Sequence, residues 1–323
     1  YIGGTAYGSS LNPSQAGSAG GAGQGQKGGN GGGFVDIDVS GTFTFDGSIF
    51  VNGEAGTASA INSGGGGAGG GVNIVTDVLT GSGAIQANGG AGGADTAAGG
   101  NGGGGRVYVQ YNSSTFTGFG NAFVNPGSGG NAGVVGTGLF LNTNNTGGTT
   151  ADDDLTIFGG YQWLVADTPS GLGTFTYDTI TSINTQSVSI ENGLTFIANS
   201  LNIDNSDWVG TTSDSVIVTI PVITLDNGGS VQSGILEFNS TTITLDNGSS
   251  LEAGDLDLTA TTLTIDATSS LNSDQRGYIG DTTTAGDGPG GGGGISAFFG
   301  SNIVGGGGAY GGDGGDGLGG SNY

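Results

Sequence analysis

Apolar and polar positions alternate along much of the chain. In residues 235–254, ILEFNSTTITLDNGSSLEAG, the apolar side chains fall at Leu236 and Phe238, then at Ile243 and Leu245, then at Leu251 and Ala253. A period of two is the mark of a strand with one buried face. The three short runs are separated by Asn-Ser-Thr, Asp-Asn-Gly-Ser and Ala-Gly-Asp, all turn-forming. The same layout precedes it in 215–234 and follows it in 255–274. In register are Leu225, Leu245 and Ile265; Asp226, Asp246 and Asp266; Val231, Leu251 and Leu271; Val216, Leu236 and Leu256; and Val218, Phe238 and Leu258. A looser copy spans 194–214 and carries Ile203-Asp204-Asn205, whereas 174–193 keeps the texture and loses the register.

A 20-residue unit with three short strands has no partner for its apolar face. Stacking on neighbours of the same kind supplies one, in a parallel ladder. The expectation is therefore an all-β chain, a parallel β-solenoid (β-helix) with no helices of note. At least four stacked repeats are expected over 194–274, with Leu225, Leu245 and Ile265 inward and the aspartates outward.

The first third repeats at a longer period. FVDIDVSGTFTFDGSIFVNG (34–53), VNIVTDVLTGSGAIQANG (72–89) and RVYVQYNSSTFTGFGNAFVNPG (106–127) align. Val51, Ala87 and Val124 are equivalent, and each precedes Asn and a turn. Between these units lie glycine runs such as NSGGGGAGGG (62–71), which recur in phase with the strands. A flexible linker has no reason to keep that phase. The runs are read as structured crossovers, because glycine lets backbones approach closely and pack as polyproline-II-like segments. Four regions follow: glycine-rich repeats of about 36 residues in 1–130, connecting strands and turns in 131–173, repeats of about 20 residues in 174–274, and a glycine-rich segment in 275–323 that continues into a next unit.

Composition narrows the function. The 323 residues include 78 glycines and carry a formal charge of −24, with three basic residues, Lys27, Arg106 and Arg276. That charge disfavours nucleic acid and anionic membrane surfaces, and no apolar run is long enough for a spanning helix. Cysteine, methionine and histidine are missing. Disulfides, thiolate metal sites and a histidine base are excluded with them. No pair of carboxylates stands apart from the repeat as a catalytic pair would, so no catalytic residue and no enzyme activity is expected. A chain without oxidisable sulfur suits an oxidising exterior, and an extracellular or cell-surface location is expected.

FVDIDVSGTFTFDGSIFVNG and LTGSGAIQANGGAGG resemble the glycine-rich parallel β-helix regions of large bacterial surface and adhesin-like fibre proteins. The resemblance is one of texture and covers most of 1–130 and 275–323. It implies a surface fibre, adhesin or matrix component, and no catalytic residues.

Candidate ligand sites are few. GGDGGDGLG (311–319) fits a calcium-binding nonapeptide once, through Asp313, Asp316 and Leu318; such sites need repeated copies. The row Asp226, Asp246 and Asp266 is the other calcium candidate. Its preferred account is turn chemistry, an Asp before Asn-Gly, so no metal or cofactor is assigned. Thr224, Thr244 and Thr264, with Thr242 and Thr262 beside them, form a threonine ladder of the kind that suits a flat ice-binding face. Tyr161, Trp163, Tyr177 and Trp208 are candidates to stack on surface polysaccharide, with Trp208 alternatively a cap on the stack. Asn112, Asn144, Asn239 and Asn247 head Asn-x-Ser/Thr sequons, and their glycosylation is left open. The opening YIGGTAYGSS and the closing GGGGAYGGDGGDGLGGSNY read into one another. The reading is a subunit or repeat unit of an extracellular filament, partnered head to tail by identical units. The second reading is a giant adhesin chain with this period covalently repeated, binding carbohydrate or surfaces. Ice binding is the third.

Overall fold

A computed structural model describes residues 2–59, 62–94, 97–129, 131–143, 153–163, 173–185, 187–210 and 214–274. The chain divides into two compact units, Tyr1–Asn272 and Ser273–Tyr323. Nearly all of the second unit, including Arg276, Asp313 and Asp316, lies outside the described residues, as does Asn144.

The described chain is all-β, with a single short 3-10 turn, Phe119–Asn121. Its strands are β1 (Phe34–Phe45), β2 (Ser48–Phe50), β3 (Gly71–Gly81), β4 (Ala84–Gln86), β5 (Arg106–Ser114), β6 (Ala122–Phe123), β7 (Thr137–Asn142) and β8 (Asp154–Trp163). There follow β9 (Thr174–Thr176), β10 (Thr179–Ile183), β11 (Ser187–Ile190), β12 (Leu194–Ile197), β13 (Ser200–Asp204), β14 (Asp207–Val209), β15 (Ser215–Thr219), β16 (Val222–Asp226), β17 (Ser230–Leu245), β18 (Ser250–Ile265) and β19 (Ser270–Asn272). All but three of them join one large, mostly parallel sheet, and β2, β4 and β6 form a small parallel one.

In the C-terminal half, three parallel ladders run side by side. The first links β8, β10, β13 and β16 to the ends of β17 and β18. The second links β11 and β14 to the beginnings of β17 and β18. The third links β9, β12 and β15 to their middles. Pairs such as Leu225↔Leu245, Leu245↔Ile265, Val216↔Leu236 and Val231↔Leu251 reproduce the register read from sequence. Leu225, Leu245, Leu236, Phe238 and Leu251 are fully buried.

Two expectations are corrected here. Residues 174–193 do hold register, since Thr195 pairs with Thr174 and Ile180 with Leu201. The paired positions stand 21 residues apart, one more than in the later repeats, and that extra residue hides the register from a 20-residue alignment. Ile265 continues the inward row yet remains 39% exposed, because β18 pairs only with β17 at this point.

In the N-terminal half, β1, β3, β5 and β7 stack in parallel. Ser48 pairs with Ala84 and Ile85 with Ala122 in the small sheet, and Val51, Ala87 and Val124 are buried. The glycine runs are ordered by backbone hydrogen bonds with a period of three. Gly64, Gly67 and Gly70 donate to the carbonyls of Thr57, Glu54 and Val51 at 2.9, 2.9 and 2.7 Å. Gly65 and Ala68 donate to Gly21 and Ser18; Gly66 and Gly69 donate to Gly100 and Gly103. Successive amides thus point in three directions, the periodicity of a polyproline-II helix, which has no hydrogen bonds of its own. Neighbouring segments supply the acceptors. At several positions the spacing leaves no room for a side chain: a Cβ on Gly67 would come within 2.0 Å of the Asn30 carbonyl oxygen, and one on Gly69 within 2.0 Å of that of Ala87.

The two halves meet at an antiparallel seam, where Leu139 pairs with Ile157 and Leu141 with Leu155. The parallel pattern expected throughout reverses here. Two separate cores flank the seam. Tyr108, Leu139, Leu155 and Ile157 belong to the C-terminal core. Val107, Val109, Phe140 and Phe158, their neighbours along the strands, belong to the N-terminal one. Successive side chains of a strand point to opposite faces, so β5, β7 and β8 form a wall with one core on each side. Strands buried on both faces read as continuous apolar runs, as in Gly138-Leu139-Phe140-Leu141.

The wall carries a pH dependence. Burial, and then the charge of Asp153, pushes the Tyr108 phenol up to about 12; burial first also raises Tyr111 and Tyr177. The folded state keeps these protons, whereas an unfolded chain releases them near the ordinary value of about 10. Their contribution to stability is complete below about 10 and falls as pH rises toward 12. The melting temperature is expected to drop across that interval, and less steeply in Tyr108→Phe. Equal slopes in the two proteins would contradict the assignment.

Candidate functional site

The aspartate row lies at the turn that closes the first C-terminal ladder. The residues after it, Asn184, Asn205, Asn227 and Asn247, all have positive φ, between 46° and 53°. Asparagine tolerates this left-handed conformation better than other side-chain-bearing residues. Each amide then bonds along the stack. Asn205 Nδ2 donates to Asn184 Oδ1, Asn227 Nδ2 to Asp204 Oδ1 and Asn247 Nδ2 to Asp226 Oδ1, at 2.7–2.8 Å. The Asn227 backbone N–H also donates to the side chain of its neighbour Asp226 at 2.7 Å. Asp266 accepts from the amides of Ser269, Thr268 and Asn247, and its carboxyl is held well below the usual range, first by its bond to Ser269. Residue 267 is alanine, so the amide row ends at Asn247.

The carboxylates of Asp204, Asp226 and Asp266 are occupied by amide donors, and the row breaks at Asp246, where the asparagine that would reach it is replaced by Ala267. Among the described residues, no three metal-ligating side chains converge. Millimolar calcium is expected to move the melting temperature by less than about 2 °C, since a ligand stabilises only as far as it binds the folded state. A strong rise would revive Asp226, Asp246 and Asp266, or Asp313 and Asp316, as ligands.

The threonines also fall in register: Thr224↔Thr244↔Thr264 and Thr242↔Thr262. They face outward on one ladder, beside the exposed Leu263 of the last described layer.

The aromatic candidates for sugar stacking are misplaced for that role. Trp163 and Trp208 are fully buried, Tyr161 is 5% exposed and Tyr177 is half-buried. Trp163 lies edge-on to Tyr161, Phe175 and Phe196, with ring centres 4.9, 4.5 and 5.0 Å apart, and 5.8 Å from Trp208. Trp208 is therefore an interior residue and no cap. These rings fill the end of the C-terminal core next to the wall, where the layers are less regular.

Of the basic residues, Lys27 pairs with Glu54 at 3.4 Å on the surface. Arg106 is partly buried and donates from Nε to the Tyr7 carbonyl at 3.0 Å and from Nη1 to Ser10 Oγ. It ties the N-terminal segment to β5, a structural role that composition did not reveal. A shallow hollow lined by Phe119, Phe123, Phe158 and Asn184 has no titratable side chain in its wall.

The edges of the sheet remain. Among the described residues, β1 pairs only with β3, and residues 255–265 of β18 pair only with β17. Apolar side chains are exposed at both: Phe34 and, on β2, Phe50 at 62%; Leu263 at 43%, Ile265 at 39% and, on β19, Leu271 at 40%. Comparison with known protein families, with curated proteins and with solved structures returned no match.

Proposed function

We propose that the three C-terminal ladders are the faces of a parallel β-solenoid with glycine-rich crossovers. On this reading the chain is a structural, non-catalytic unit of an extracellular or cell-surface filament built by head-to-tail stacking. The observation that carries the proposal is that, among the described residues, two long strands of one sheet, β1 and β18, each leave an edge unpaired. An open edge presents unpaired N–H and C=O groups that recruit another strand. Solenoids that stay single carry polar caps. Among the described residues, these edges carry exposed apolar side chains. Two different edges that fit one another give a contact that does not close, and such contacts propagate. The net charge of −24 opposes sideways clumping.

Electron microscopy of the purified chain over a range of concentrations tests the proposal. Filaments one unit wide are expected. A protein that stays monomeric at high concentration would defeat it. The covalently repeated adhesin is separated by the intact mass of denatured native material, which is one unit for a polymer and many units for a tandem chain.

A further inference from the structure

The last described layer and the first strands of the chain share a sequence pattern. Residues 255–266 read DLDLTATTLTID and residues 36–46 read DIDVSGTFTFD. Asp255-Leu256-Asp257-Leu258 corresponds to Asp36-Ile37-Asp38-Val39. Leu263-Thr264-Ile265-Asp266 corresponds to Phe43-Thr44-Phe45-Asp46, and Leu271 on β19 to Ile49 on β2. One residue of the difference in length falls between Val39 and Thr42, where the ladder of β1 with β3 already shifts register, and two more fall in the turn between Asp266 and Leu271.

Burial follows the same correspondence. Ile37, Phe43 and Ile49 are half-buried and pack against the N-terminal core, Val39 is half-buried, and Asp36, Asp38, Thr44 and Asp46 face outward. Leu256 and Leu258 face the C-terminal core, and Leu263 and Ile265 continue its inward rows. Asp255, Asp257 and Thr264 face solvent. The two layers have strands of similar length in the same order, with the same side turned in.

We infer that β18 and β19 of one copy stack on β1 and β2 of a second copy in parallel register, with Leu256 over Ile37, Leu263 over Phe43 and Ile265 over Phe45. The inference rests on the filament reading and names its joint. The partner is a second copy because its edge repeats what the ladder already stacks. Thr224, Thr244 and Thr264 continue into Thr44, which already accepts a hydrogen bond from Thr80 at 3.0 Å in the next layer. The row Asp226, Asp246, Asp266 likewise continues into Asp46. Stacking covers the exposed Leu263, Ile265 and Leu271. It also sets Asp255 and Asp257 against Asp36 and Asp38 at about one strand spacing, roughly 4.8 Å. The joint is thereby apolar inside and like-charged outside, so added salt strengthens it by screening.

The absence of cysteine allows a direct test on the full chain. Thr44→Cys and Thr264→Cys are surface changes at positions that face each other across the joint, within the span of a disulfide. Mild oxidation of an equimolar mixture is expected to give a disulfide dimer at least about tenfold faster than either variant alone, and the double variant is expected to give a ladder of oligomers. The mixed rate is expected to rise several-fold between low salt and about 0.5 M sodium chloride. Self-dimerisation of one variant as fast as the mixture would show that like edges meet, and would overturn the inference. A rate that falls with salt would overturn the register. Filaments without the mixed cross-link would overturn this joint and leave the filament standing; a chain that is monomeric throughout would defeat both.

Discussion

Leu245→Asp is expected to unfold the C-terminal ladders. Leu245 is fully buried between Leu225 and Ile265. The substitution removes an apolar side chain and places a carboxylate where no cation of the described residues lies within reach, since Lys27 and Arg106 both belong to the N-terminal half. Burying an unpaired charge costs several kcal/mol, and the loss of apolar contact adds to it, for a total of about 4 kcal/mol or more. In a stack, each layer depends on its neighbours, so the damage spreads along the ladder. Hydrogen exchange is expected to show lost protection across β16, β17 and β18, with protection retained in β1, β3 and β5. Thr244→Asp provides the control. Its side chain points to the other face of the strand, and a surface change of this kind is expected to cost less than about 1 kcal/mol. If Leu245→Asp melts like the parent protein, the inward row has been wrongly assigned.

Gly67→Ala is expected to be nearly as damaging, although it adds only a methyl group. The added carbon would come within 2.0 Å of the Asn30 carbonyl oxygen. The neighbouring segment has no freedom to retreat: Glu54 is bonded to Asn30, and Gly67 itself to Glu54. Overpacking a well-packed interior costs about 1–3 kcal/mol, and here the backbone hydrogen bonds on either side would be lost as well. Gly33→Ala is the matched control, because nothing lies within 4 Å of a Cβ at that position. Thermal melting of the two variants decides the matter. Equal stability would mean that the glycine runs pack no more closely than ordinary loops.

Much of the C-terminal fold was legible because a parallel ladder repeats side chains at a fixed interval. Leu225, Leu245 and Ile265 stand twenty residues apart and pair as that spacing requires. Legibility failed in 174–193, where like side chains do pair, Phe175 with Phe196 and Ile180 with Leu201, but at a spacing of 21 residues that a 20-residue alignment misses. It failed also for the aromatic candidates. Trp208 follows Asn-Ser-Asp, which suits an exposed turn, and Trp163 lies in an alternating run; only the packing of Phe175 and Phe196 against them shows that they are interior. For the candidate site, the aspartate row was visible and the asparagines beside it were the more informative residues. Their repeated position after Asp or Ile was the available signal.

The sequence by itself determined the strand faces, the two repeat lengths and the in-phase glycine runs, because alternation and period are local properties of a chain. Only the tertiary structure decided that strand direction reverses between β7 and β8, so that one wall carries a core on each side. That reversal depends on which edge strand β8 meets after β7, a contact between apolar faces that several arrangements would satisfy equally in sequence. The glycine runs divide in the same way. Their phase is written in the chain, but the three directions of their amides exist only once neighbouring segments stand close enough to accept them.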